Sequence, residues 1–122
     1  MTSFRLILPI SELHNSNDRG ASSHWAVVAR KRKAMRAAAK EVCQHIAAVP
    51  GRVSLTVTFQ FPDNRWRDLD NYEIKGAIDG MVDAGVISDD KRQVLGRVTR
   101  EDSDVHSAKG FVALTFDIEA RP

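Results

Sequence analysis

The alternation of apolar and polar positions is sharpest in RVSLTVTFQF, residues 52–61, where Val53, Leu55, Val57 and Phe59 share one face. A period of two predicts a half-buried strand. GFVALTFDIE, residues 110–119, repeats the pattern, setting Val112, Leu114, Phe116 and Ile118 against Phe111, Ala113, Thr115 and Asp117. Shorter strands are predicted in FRLIL, residues 4–8, which Pro9 stops, and in QVLGRVTRE, residues 93–101. Elsewhere the period lengthens. Trp25, Val28, Met35, Ala39, Val42, Ile46 and Val49 recur at three- and four-residue steps, which predicts a helix over residues 24–49. Ser22 or Ser23 would cap it, Pro50-Gly51 would end it, and Trp25 would join the core. Lys33, Arg36 and Lys40 would share its opposite face. A second helix is expected to begin near Asn71, with Ile74, Ala77, Ile78, Met81 and Val82 on one stripe and Gly85 at its C′ position. Residues 11–23 read as loop and Pro62-Asp63-Asn64 as a turn. The order βαβαββ predicts one α/β (α+β) domain spanning residues 1–122, with a mixed four-stranded sheet and two main helices packed on it.

Composition agrees with a folded domain. Hydrophobic residues make up 43 % of the 122 and charged residues 28 %, enough to build a core. No apolar run approaches the ~20 residues of a membrane helix, and MTSFRLILPI lacks the features of a signal peptide. The single cysteine, Cys43, excludes an internal disulfide and a cysteine-based zinc site, and fits a reducing compartment. His14, His24, His45 and His106 show no metal-ligand spacing. Charge changes the picture more. Net charge is only +2, yet residues 21–50 carry six Lys/Arg against one Glu, and residues 61–104 carry eleven acids against seven bases. A basic half beside an acidic half suggests a polyanion partner and a place for cations; a solvated basic helix face is the plainer alternative.

The acids concentrate in RWRDLDNYEIKGAIDGMVDAGVISDD, residues 65–90. If residues 67–70 are extended, Asp68 and Asp70 point the same way. Asp90 follows a helix of about fourteen residues, or about 21 Å, so the chain must return along it for the three to meet. Two carboxylates about 4 Å apart repel by roughly 4 kcal/mol at an effective dielectric near 20. Hence one holds a proton, or a cation intervenes. Hard oxygen ligands without His or Cys favour Mg²⁺ or Mn²⁺. The same residues also have structural readings. Asp70 with Glu73 resembles a capping box, Asp68 can pair with Arg65 or Arg67, and Asp89 and Asp90 can be turn residues. Trp66, between two arginines, suits either a base-stacking platform or packing at the domain surface or a dimer seam.

RDLDN…K…IDGMVDAGVISDD resembles the central signature of RusA-type Holliday junction resolvases, the crossover junction endodeoxyribonucleases of phages and prophages. Arg65, Arg67, Asp68, Leu69, Asp70, Asn71, Lys75, Asp79, Gly80, Ala84, Gly85, Asp89 and Asp90 carry the likeness, and a second patch over residues 8–36, with Pro9, Asn17, Asp18, Arg19, His24 and Trp25, extends it over most of the chain. The resemblance implies a cytoplasmic homodimer that nicks a four-way DNA junction symmetrically with Mg²⁺, Mn²⁺ substituting, and without a nucleotide cofactor. It implies Asp68, Asp70 and Asp90 as catalytic, metal-holding acids, with Asp89 as a substitute third acid. Lys75 matches the family's lysine but falls one residue later than in the pattern Asp-Leu-Asp-Asn-x-x-Lys, about 100° of helix. Arg65, Arg67, Lys33, Arg36, Lys40, Asn71 and Arg19 become the expected DNA contacts. Two alternatives stay open: a non-catalytic branched-DNA-binding module of the same fold, and a nuclease acting on flaps or forks.

Overall fold

Four strands form one sheet in the order β1-β4-β2-β3: β1 (Thr2–Pro9), β2 (Val53–Gln60), β3 (Leu95–Asp102) and β4 (Phe111–Ala120). The computed structural model describes residues 1–17 and 24–121. β4 pairs antiparallel with both β1 and β2, and β2 pairs parallel with β3, so the sheet is mixed. Both period-two segments become central strands, where one face must be covered. Val53, Leu55, Val57 and Phe59 of β2 and Val112, Leu114, Phe116 and Ile118 of β4 are buried. β1 extends the same face with Phe4, Leu6 and Leu8. Pro9 does not stop β1 but is its last paired residue, opposite Phe111. An edge strand tolerates a residue without an N–H.

Two helices complete the core, α1 (Trp25–Cys43) and α2 (Lys75–Asp83), preceded respectively by one-turn 3-10 segments at Ile10–Glu12 and Leu69–Asn71. The predicted order βαβαββ and the two-helix, four-stranded α+β architecture are therefore observed. No helix among the described residues is long and apolar enough to cross a membrane.

The first helix departs from expectation in three ways. It ends at Cys43 rather than Val49. Val49 still packs on the core, but from beyond the helix, where its N–H donates to the Val86 carbonyl (2.8 Å). The inward stripe is Lys31, Met35, Ala39 and Cys43, a strict four-residue step, while Val42 is exposed. Lys31 can occupy such a stripe because its methylene stem is apolar. Finally, Trp25 is not in the core: it is the first helical residue, ahead of the turns that meet the sheet, and is 77 % exposed. The proposed caps Ser22 and Ser23 lie outside the described residues; His24 is the N-cap, its Nδ1 accepting from the Ala26 N–H (3.2 Å).

The second helix starts four residues later than expected and is nine residues long. Its would-be first turn has another partner. Ser16 donates its N–H to the Asn71 carbonyl (2.8 Å), Glu73 donates to the His14 carbonyl (2.9 Å), and Asn15 bridges Tyr72 in antiparallel fashion. Backbone groups committed to a remote segment cannot close helical rings. Gly85 does take the left-handed conformation (φ 80°) expected of a C′ residue.

Candidate functional site

The segment leaving β2 is fixed by Asp63 rather than by the acids of the Asp-Leu-Asp motif. Asp63 Oδ1 accepts from the Arg65 N–H (3.1 Å) and from Arg67 Nη2 (2.8 Å), and the Arg67 guanidinium lies 4.1 Å over the Phe61 ring. The Arg65 N–H and then Arg67 hold the Asp63 carboxyl below its ordinary range. Arg67 is thereby spent on the fold: its side chain is 9 % exposed, against 77 % for Arg65. Trp66, between them, is 84 % exposed.

Asp68 and Asp70 diverge. Asp68 caps the 3-10 turn, accepting the Asp70 N–H at 3.2 Å. It thus pairs with neither Arg65 nor Arg67. Asp70 projects into solvent, its nearest cation Arg100 Nε at 3.8 Å. It does not make a capping box either, since Glu73 is paired with Arg32 and α2 begins without a side-chain cap. Arg100, on β3, also donates Nη1 to the Tyr72 carbonyl (2.8 Å) and the Leu69 carbonyl (3.3 Å), so it ties the edge strand to the loop that carries Asp70. The sequence reading missed it. An arginine within a predicted strand carries no motif, and its only signal was a charge in an otherwise apolar–polar alternation.

Lys75 opens α2 and joins two further acids. Its Nζ lies 3.1 Å from Asp90 Oδ2 and 3.2 Å from Asp79 Oδ1. The hydrogen bond to Asp90, then that to Asp79, raises the Lys75 pKa, and the Lys75 ammonium in turn lowers that of Asp90. The short helix and the Gly85 turn thus return the chain so that Asp90 meets the residue at the helix start. Asp70, Asn71, Lys75, Asp90 and Arg100 line one cleft of about 420 Å³, with Ile78, Leu95 and Val98 as its apolar wall.

Asp68 lines a separate groove of about 400 Å³ with Asn15, Asn17, Arg65 and Trp66. Asp89 turns aside, its Oδ1 accepting the Lys91 N–H (3.2 Å). The expected meeting of Asp68, Asp70 and Asp90 is therefore only partly assembled. Asp70 and Asp90 share the cleft, and among the described residues no three His, Cys, Asp or Glu side chains stand close enough to hold a metal ion. The donor chemistry of the cleft, carboxylate oxygens without His or Cys, is the kind Mg²⁺ takes, one or two carboxylates being completed by water or phosphate oxygens.

The basic helix face is partly neutralised. Arg36 forms a two-pronged pair with Asp83 of α2 (2.6 and 2.8 Å), Arg32 pairs with Glu73, and Arg30 pairs with Glu12 (3.0 Å). Lys33 and Lys40 are exposed. Asn71 lies on the wall common to the cleft and the groove. Arg19 lies outside the described residues. Compared with protein-family models and with curated proteins, the chain matches none.

Proposed function

We propose that this chain is a Mg²⁺-dependent, structure-selective DNA endonuclease of the RusA-like type, acting as a homodimer on four-way junctions, in the cytoplasm of a bacterial host and of phage or prophage origin. The observation that carries the reading is the Lys75–Asp90 contact in a cleft that also takes in Asp70. The three residues come from distant parts of the Asp-Leu-Asp-Asn…Lys…Asp-Asp pattern. Lys75, one residue later than in the family pattern, opens α2 and lines the cleft.

Asp70 and Asp90 would hold the ion, which when bound supplies Lewis-acid stabilisation of charge on the phosphate. The chain's own residues do the rest. Lys75, kept protonated by Asp90 and Asp79, presents a fixed ammonium to a phosphate oxygen; it acts by charge rather than as a base. Arg100 holds the loop that aims Asp70. Arg65, Lys33 and Lys40 contact backbone phosphates, which gives affinity without reading sequence.

The test compares a synthetic four-way junction, a fork and a linear duplex, each with Mg²⁺ and with EDTA, and maps the nicks. Symmetrical Mg²⁺-dependent incision of the junction is expected. Asp70→Asn should abolish cutting and leave junction binding equal or tighter, because a negative charge facing phosphate is lost. Equal cutting by Asp70→Asn and the parent refutes the assignment. A second reading, a branched-DNA-binding module without catalysis, draws on one observation: Asp68 is turned to cap its own 3-10 segment rather than into the cleft. Junction binding without incision in Mg²⁺ would select it, and preferential cutting of the fork would select a fork or flap nuclease.

A further inference from the structure

The exposed Trp66 ring stands between two anchored residues. Its two neighbours are pinned through Asp63: the Arg65 N–H bonds to Asp63 Oδ1, and Arg67 Nη1 donates to the Arg65 carbonyl (3.1 Å) while its guanidinium covers Phe61. The backbone is hydrogen-bonded on either side of a ring that is 84 % exposed, so the indole adds almost nothing to the core. A single exposed tryptophan needs no explanation by itself. This one, however, stands on a groove of about 400 Å³, within the size range of small-ligand sites.

The groove has a composite chemistry. Asn15, Asn17 and Asn71 offer amide groups that both donate and accept, as the edge of a nucleobase requires. Arg65 stands on it as an exposed cation. Asp68 adds a carboxylate, which repels phosphate and accepts from amino groups. The groove therefore suits the base of a nucleotide better than its phosphate. It adjoins the acidic cleft along Asn71 and Tyr72, which line both.

We infer that the Trp66 groove is a subsite for an unpaired nucleobase of the DNA strand whose phosphate enters the Asp70–Asp90 cleft, with the indole as its stacking platform. The inference rests on the nucleic-acid reading of the cleft, but not on cutting. Trp66 would grip a base that has left its duplex and would not read its identity, because every base offers a π-face. A strand that is fully paired keeps its bases stacked and cannot fill the groove, so this subsite favours branch points over linear duplex.

The test uses a Trp25→Phe protein, which leaves Trp66 as the sole indole, in EDTA and at fixed salt. Two end-labelled single-stranded probes of equal length are titrated, an oligothymidylate and an oligomer with abasic sugars at its centre, and affinity is read from probe anisotropy in every variant. The expected result is quenching of Trp66 fluorescence by the oligothymidylate and about tenfold weaker binding of the abasic probe. Trp66→Ala should erase that difference and Trp66→Phe should keep most of it. Equal binding of the two probes, no binding of either, or a difference that survives Trp66→Ala overturns the subsite. Failure of the nuclease reading looks different: base-dependent binding persists while the junction stays uncut in Mg²⁺. Junction cutting without any base dependence overturns the subsite alone.

Discussion

Gly80→Ala should destabilise the protein, although alanine is the better helix former. Gly76 and Gly80 lie one turn apart where α2 crosses α1. A Cβ at Gly80 would stand 2.6 Å from the Arg36 carbonyl oxygen, 2.7 Å from Ala39 Cβ and 2.9 Å from the Lys40 nitrogen. Ordinary contact begins near 3.4 Å, so the shortfall is about 0.8 Å. Two of the three obstacles are backbone and the third is a methyl group, so none can rotate away. α2 must move by most of an ångström, and the Arg36–Asp83 pair and the packing of Ala77 and Met81 must move with it. Overpacking of this kind costs about 1–3 kcal/mol, and three close contacts place Gly80 at the upper end. Helix propensity returns about 1 kcal/mol. The net expectation is a loss of about 2 kcal/mol, which for a domain of this size lowers Tm by about 8 °C. Urea unfolding followed by circular dichroism measures it as a lower midpoint at unchanged slope. Gly85→Ala is the control. Gly85 has φ 80° with open space around it, so its cost comes from backbone strain alone and Gly85→Asn should recover part of it. A Gly80→Ala protein as stable as the parent, or more stable, refutes the close crossing of the two helices.

Asp90 should titrate below its ordinary value of 3.8 because Lys75 donates to it. A depressed folded pKa means the unfolded chain binds more protons, so the pair's stabilisation is present above that ordinary value and is lost as pH falls through the folded one. Lys75→Met should move the Asp90 carboxyl resonance midpoint upward in an NMR titration, and an unchanged midpoint would remove the contact. The Lys75 pKa, raised by the same bond, should shift down toward 10.5 in Asp90→Asn, in a titration of the lysine ε-methylene at high pH. Arg100→Met leaves the Tyr72 and Leu69 carbonyls without their charged donor, at a cost of about 1–2 kcal/mol in urea unfolding. It should also speed amide exchange at Tyr72 and Glu73 relative to the central strands.

How legible each part was depends on the range of the interaction that forms it. β2 and β4 were readable because each is a central strand with one covered face, so burial imposes its period directly on the residues. Gly85 was readable because a left-handed C′ position selects for glycine. The start of α2 was not. What prevents a helix at Asn71–Glu73 is pairing with His14–Ser16, more than fifty residues away in the chain, and no local periodicity registers it. Trp25 was misplaced for a related reason: helical spacing gives the direction of a side chain, not whether the sheet extends beneath it. In the candidate site, Asp70, Lys75 and Asp90 were picked out by the family resemblance, since their spacing alone left a structural reading open. That Asp68 faces the neighbouring groove could not be read in this way, because it depends on a single hydrogen bond to the Asp70 N–H.

Two carboxylates brought into one cleft were expected to repel unless one took a proton or a cation stood between them. The fold answers with its own cations. Lys75 bonds to Asp90, and Arg100 stands 3.8 Å from Asp70. Glu73, on the same wall, is already paired with Arg32. Lys75 is shared with Asp79, so Asp70, Glu73, Asp79 and Asp90 stand against Lys75, Arg100 and Arg32, a formal charge of −1. On the proposed reading this balance bears on recognition. A phosphodiester entering alone would take it to −2, and a divalent cation entering alone to +1. Entry of the two together would leave it neutral. Under that proposal the cleft would bind each charge better in the presence of the other, a reciprocal coupling that follows from the placement of Lys75 and Arg100 as much as from the acids.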